Sequence, residues 1–247
     1  MSNQISKLKF KTGVKDGLPI GLGYLSVSFA FGVKASLLQV PLLITLMISM
    51  TNLTSAGQLA GLDIIATTGT FIEIILTQLI INSRYFLMSL TLSQKTDSSF
   101  SLSKRLLCSA FITDEIFAVS ISKPQQINTK YFLGLALLPY IGWATGTLLG
   151  AIAGSILPAF IANALGIALY AMFIAIIIPP STKELGVFFA VLLSSGLSCA
   201  FYFIPVLNNI SSGISIIITA VLSSLIIAII FPIKIINRQD KEVEYAN

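Results

Sequence analysis

There is no histidine in the chain. That excludes a Ser-His-Asp or Cys-His triad, and most zinc enzymes with it. Cysteine is almost as scarce. Cys108 and Cys199 stand far apart in apolar surroundings, with no Cys-x-x-Cys, so both read as buried packing residues. No metal-ligand spacing and no cofactor motif is present, and none is expected. Charge is the third shortage: 10% of residues are charged and 55% are hydrophobic. A water-soluble domain carries roughly a quarter charged residues. The polar surface needed to dissolve this chain is missing, so its solvent is lipid.

What is present are apolar runs long enough to cross a bilayer. A spanning helix takes about 20 apolar residues at 1.5 Å rise each. Stretches such as "SIIITAVLSSLIIAIIF" do not alternate apolar and polar residues, which excludes transmembrane β-strands. The fold class is therefore an all-α polytopic membrane protein, with seven or eight transmembrane or half-membrane helices. A basic tail, 1–17, precedes one transmembrane domain, 18–233, and a mixed-charge tail, 234–247. The domain divides into a first half, about 18–105, and a second, about 131–233. Leu18 onward reads as a retained helix, not a signal peptide, because no small-residue cleavage site follows a short apolar stretch. The net charge of +5 owes much to Lys7, Lys9, Lys11 and Lys15. That cluster reads as a topology signal and an attraction to lipid headgroups, not to nucleic acid. It predicts a cytoplasmic N-terminus.

From Val40 to Ile81 the run is too long for one span and must break. "NLTSAGQLAGLD", Asn52 to Asp63, marks the place, with Ser55, Gly57 and Gly61 as its small residues. Two readings fit: a turn between two spans, or a discontinuous helix whose unwound backbone lines a cavity. After Arg84, the stretch Tyr85–Leu92 either extends the preceding helix or forms a half-span. A polar loop follows, then an apolar segment, Leu106–Ser122, just long enough to cross. Later spans are read at Tyr131–Leu157, Phe160–Ile178, Gly186–Pro205 and Ser212–Phe231. The first of these carries Gly142, Gly146, Gly150 and Gly154 every fourth residue, a stripe that admits close backbone approach. Its opening also echoes the first span: "GLPIGLGYLSVSFAFG" and "LLPYIGWATGTLLGAIAG" place Pro19 and Pro139 120 residues apart.

Asp114 and Glu115 lie side by side inside Leu106–Ser122, which holds no cation. A carboxylate at the centre of a spanning helix costs about 2.5–3.5 kcal/mol on insertion scales. Such residues mark a substrate or ion path, or else a buried ion pair, most simply with Arg84. Helical neighbours point 100° apart, so one acid faces a polar interior and the other a second partner, a helix end or solvent. Asn82, Arg84 and Tyr85 together suit a carboxylate. An amino acid zwitterion needs such a donor and an acceptor for its ammonium; Arg84 and Asp114 supply both. The opposing reading for Arg84 is snorkelling to lipid phosphate. Gln58, in the break, either bonds substrate or satisfies loose backbone.

These pieces, in order, resemble the AzlC family, the large subunit of bacterial branched-chain amino acid exporters. The resemblance is carried by "GLPIGLGYLSVSFAFG" at 17–32, "SAGQ" at 55–58, "NSRY" at 82–85, "TDEIFAVS" at 113–120, "YIGWATGTLLGAIAG" at 140–154 and "LGIALYAMFIAII" at 165–177. Asp63 and Glu73 are not part of that pattern. The resemblance implies export of leucine, isoleucine, valine or a similar amino acid across the bacterial inner membrane, with a small AzlD-type membrane partner. It favours the discontinuous helix near Ser55–Gly61. The roles assigned to Gln58, Asn82, Arg84, Tyr85, Asp114 and Glu115 come from the chemistry of those residues. Two rival functions remain: a membrane subunit or sensor that moves nothing, and a transporter or channel for another small solute. An intramembrane aspartyl enzyme fits badly, because that chemistry wants two acids facing each other from separate helices.

Overall fold

A computed structural model describes residues 8–158, 160–161, 164, 174 and 177–232. These form helices, with no strand among the described residues beyond a single bridge of Thr96 to Ile127. Five of the described helices are long and apolar enough to cross a membrane. The chain is thus an all-α polytopic membrane protein. It divides into two compact units, Met1–Ile174 and Ala175–Asn247.

The first unit is built on α1, Phe10–Leu37, and α7, Thr129–Ile156, each of 28 residues with an interior proline. The two run parallel and in register. A side chain added at Gly13 would strike the Tyr131 carbonyl, and one at Gly32 the Thr147 carbonyl. From the other helix, Gly134 faces the Phe10 carbonyl, Gly142 that of Gly21, Gly146 that of Leu25 and Gly150 that of Phe29. Small residues let two backbones approach where lipid supplies no hydrophobic drive for association. The glycine stripe is therefore internal packing. The two echoing segments are the facing halves of this one interface.

Between α1 and α7 the chain makes two short helix pairs around one full span. Helix α2, Leu42–Thr51, and α3, Ser55–Ala66, are about 15 and 18 Å long. Neither crosses a hydrocarbon core of about 30 Å. Both have their outer ends at the far end of α1. There Lys34 of α1 pairs with Asp63 of α3, and Ala30, Phe31 and Ala35 pack on Leu59 and Leu62. Their inner ends meet at 52–54, halfway along α7, where Tyr140 donates to the Met50 carbonyl. The pair enters from one side, turns at half depth and leaves by the same side. The unwound stretch that the resemblance favoured near Ser55–Gly61 is not there: the break is a short turn at 52–54 between two half-length helices, and Ser55, Gly57 and Gly61 lie inside α3. Their smallness serves packing, since Gly57 is crowded by Thr54, Gln78 and Asn82. Helices α1 and α3 both end in a left-handed residue, Gln39 and Thr68, and both close with a Schellman pair of turns.

Helix α4, Phe71–Lys95, is one continuous span, so Tyr85–Leu92 extends it. Thr70 and Glu73 start it with a reciprocal capping box. It returns to the end where α1 and α7 begin, and there Ile127 donates to the Lys95 carbonyl. The predicted single segment Leu106–Ser122 is not one helix. It divides into α5, Leu102–Ser109, and α6, Asp114–Ser122, with a break at 110–113. These two form a second re-entrant pair, entering from the opposite side to the first. Thr113 causes the break. It is extended, and its hydroxyl accepts from the Ile116 amide, so it is the N-cap of a new helix. Ser109 and Thr113 therefore do not share one helix. The apolar residues sort by depth. One cluster at the near end joins Leu92, Cys108, Ile116 and Phe132, and another at half depth joins Tyr24, Leu53 and Trp143.

Helix α1 begins eight residues earlier than the predicted span, drawing Phe10–Gly17 out of the tail. The predicted span Phe160–Ile178 falls largely outside the described residues. In the second unit, α8, Leu185–Phe203, and α9, Ser212–Ile230, form an antiparallel hairpin. Its open end is fastened by Phe189 stacked on Phe231 with centroids 5.5 Å apart. Large apolar side chains cover its outside, as lipid requires.

Candidate functional site

The tips of the two re-entrant pairs meet at half depth, among α1, α4 and α7. The first two residues of α6 are Asp114 and Glu115. At a helix N-terminus, backbone amides and the helix dipole favour negative charge. This answers why two adjacent acids stand in so apolar a run: they open a helix inside the membrane, beside its positive end. Each then finds its own partner. Asp114 Oδ2 pairs with Arg84 Nη1 at 2.9 Å. Glu115 Oε2 accepts from the Tyr24 hydroxyl of α1.

Arg84 sits thirteen residues into the α4 span, about 20 Å from its start. Its Nη2 donates to the Tyr85 hydroxyl at 3.3 Å, and its guanidinium carbon lies 5.1 Å from the centre of that ring. Nearly half of each side chain in the Arg84–Asp114 pair is exposed, 44% and 48%. A buried ion pair is thus not what the helices make. The pair is half-exposed midway along α4, at the start of α6.

Tyr24 and Tyr140 tie the two tips together. The Tyr24 ring meets Trp143 edge-on at 5.0 Å and shares its cluster with Leu53, from the first break. Tyr140 meets Phe111, from the second break, at 5.3 Å, while its hydroxyl bonds Met50 in the first.

Gln58 and Asn82 lie apart from the ion pair. Gln58 is 1% exposed; its Nε2 donates to Ser49 Oγ at 3.1 Å, and Ser49 shares a 2.6 Å bond with Thr147 of α7. Asn82 donates to Gln78 Oε1 at 2.9 Å, and Gln78 Nε2 donates to the Gly57 carbonyl at 2.7 Å. Both chains therefore brace the first break, yet each leaves one buried oxygen, Gln58 Oε1 and Asn82 Oδ1, without a hydrogen-bond partner.

The structure thus joins Arg84, Tyr85 and Asp114 directly and Glu115 through the same helix turn. It places Gln58 and Asn82 in a separate network. Sequence reasoning missed Tyr24, Tyr140 and Gln78. Tyr24 lies inside the first motif but looks like any apolar-run tyrosine. Gln78 was the better clue, as an amide in the middle of a span.

Parallel spans joined through two re-entrant helix pairs, with charge at the tip of the second, define a membrane protein with a polar centre. Residues 19–157, from within α1 to just past α7, match the family model described as AzlC protein. An uncharacterized membrane protein of Archaeoglobus fulgidus is 31% identical over 173 residues, covering 69% of this chain and 75% of that one. Inner membrane protein YgaZ of Escherichia coli K12 is 30% identical over 177 residues, covering 68% and 72%. The chain belongs to the AzlC family. No solved structure matches it.

Proposed function

We propose that the chain is the larger subunit of a secondary transporter that exports branched-chain or similar small apolar amino acids, working with a small AzlD-like membrane partner. The observation that carries this reading is the half-open Arg84–Asp114 pair at the tip of a re-entrant helix. Arg84, with Tyr85 beside it, takes the substrate carboxylate by charge-assisted bonds. Asp114 takes the ammonium or, with Glu115, a coupling proton. Helix ends presented at the membrane midplane are a recurrent way to build such sites.

The N-terminus lies in the cytoplasm in this reading. The end of the first unit where α1 and α7 begin gathers Lys9, Lys11, Lys15, Lys95, Lys104, Arg105, Lys123 and Lys130, and basic residues stay inside. The membrane is then the bacterial inner membrane, and the chemistry is binding and movement, not catalysis.

The test loads bacteria with isoleucine-containing dipeptides and measures isoleucine efflux, with the chain alone and with its AzlD-like partner. Efflux that rises only with the pair supports the reading. Unchanged efflux with both proteins in the membrane removes branched-chain amino acids as the substrate.

A further inference from the structure

Three features of α1 combine. Asp16 lies near its start, Tyr24 at its middle and Lys34 in its last turn. Asp16 and Lys34 are eighteen residues apart, about 27 Å along the helix, close to the thickness of a hydrocarbon core. Each binds the outer end of a different re-entrant pair. Asp16 Oδ2 meets Lys123 Nζ, the C-cap residue of α6, at 2.8 Å and accepts from the Tyr131 hydroxyl at 2.7 Å. Lys34 Nζ meets Asp63 Oδ1, in the last turn of α3, at 2.7 Å. The site lies between them, where Tyr24 holds Glu115.

The parts differ in how firmly they are held. Helices α1 and α7 are interlocked backbone to backbone by glycines along their length, and cannot slide without lifting apart. The re-entrant pairs are two short helices each, set against this rod. Motion that exposes the centre belongs to them.

Building on the transport reading, we propose that Lys34–Asp63 and Asp16–Lys123 are positioning pairs that face opposite sides of the membrane. Each clamps the outer end of one re-entrant pair to α1, and its release opens the central site to that side alone. The two clamps are of opposite polarity: α1 supplies the cation at one end and the anion at the other. All four side chains are partly exposed, at 17% and 43% for Lys34 and Asp63 and 25% and 26% for Lys123 and Asp16. Neither pair is sealed in the packing, so either bond can be exchanged for another partner.

The test uses the full chain with its partner in membrane vesicles of both orientations, with Cys108 and Cys199 replaced by serine. A reporter, Leu53→Cys, sits in the buried half-depth cluster beside Tyr24, and a membrane-impermeant thiosulfonate is the probe. Asp63→Asn is expected to raise the labelling rate about three- to fivefold from the non-cytoplasmic side only, as for loss of one partly exposed ion pair. Lys123→Gln is expected to do the same from the cytoplasmic side only. Asp63→Glu, which keeps the pair, stays at the parent rate. Should Asp63→Asn fail to accumulate, Lys34→Met breaks the same pair with a residue that membranes accept. No change in labelling, or a rise from the wrong side or from both sides equally, overturns the proposal. Labelling needs no substrate, so the two readings fail separately. Side-specific labelling without amino acid efflux leaves the clamps standing and rejects the transport reading. Normal efflux with unaltered labelling does the reverse.

Discussion

Gly21 and Gly23, two positions apart on α1, face opposite surroundings. A methyl group on Gly21 would lie 2.8 Å from the Leu138 carbonyl oxygen and 2.9 Å from its carbon; one on Gly23 meets no atom within 4 Å. Ordinary contact begins at 3.4 Å, so Gly21→Ala must push α7 away by about 0.6 Å, a gap that forfeits a quarter to a half of each contact's dispersion well. Overpacking of this kind costs about 1–3 kcal/mol. Both substitutions gain about 1 kcal/mol of helix propensity, so that term cancels between them. Gly21→Ala is therefore expected to be less stable than Gly23→Ala by about 1–3 kcal/mol. For a chain of this size that is a difference of about 3–10 °C in melting temperature. The assay is thermal unfolding of the two purified full-length variants in one detergent. Equal melting temperatures would refute the interlocked, in-register pairing of α1 and α7.

Other outcomes follow from the half-depth contacts. Thr113→Ala removes the N-cap of α6 and should cost about 1 kcal/mol in the same melt, with Thr113→Ser restoring it; no loss would mean that α6 does not start there. Tyr24→Phe keeps the ring against Trp143 but strips the hydroxyl from Glu115. Bonds to charged groups contribute about 1.5–3 kcal/mol, so maximal export should fall at least about tenfold without loss of protein from the membrane. Gln58→Leu exchanges a half-satisfied buried amide for an apolar chain of similar size. It should melt within about 1 kcal/mol of the parent while export is lost; unchanged export would make Gln58 a bracing residue only.

The first break was legible because Asn52, Thr54, Ser55 and Gly57 interrupt an apolar run that is too long for one span. The second was not. Ala110, Phe111 and Ile112 carry no glycine or proline, so the run reads as continuous. Its signal was Thr113 followed by two acids, a helix-start pattern that hydropathy conceals because a new helix inside a membrane is unexpected. The Arg84–Asp114 pairing was anticipated from charge alone, since a mid-membrane arginine and a mid-membrane acid need each other. Partners such as Tyr24 and Tyr140 depend on which helices touch, and that rests on the parallel registration of α1 with α7. Glycine spacing announced a close interface there without naming its other side. Asp63, set aside as outside the family pattern, proved to be one end of an ion pair.

The site itself is tested most directly by efflux from liposomes loaded with radiolabelled isoleucine and containing the purified chain and its partner, with Arg84→Ala compared at equal reconstitution. Efflux by the parent pair and none above protein-free liposomes by Arg84→Ala is the expected result. Parent-rate efflux by Arg84→Ala would contradict the assignment of the substrate site to the Arg84–Asp114 pair.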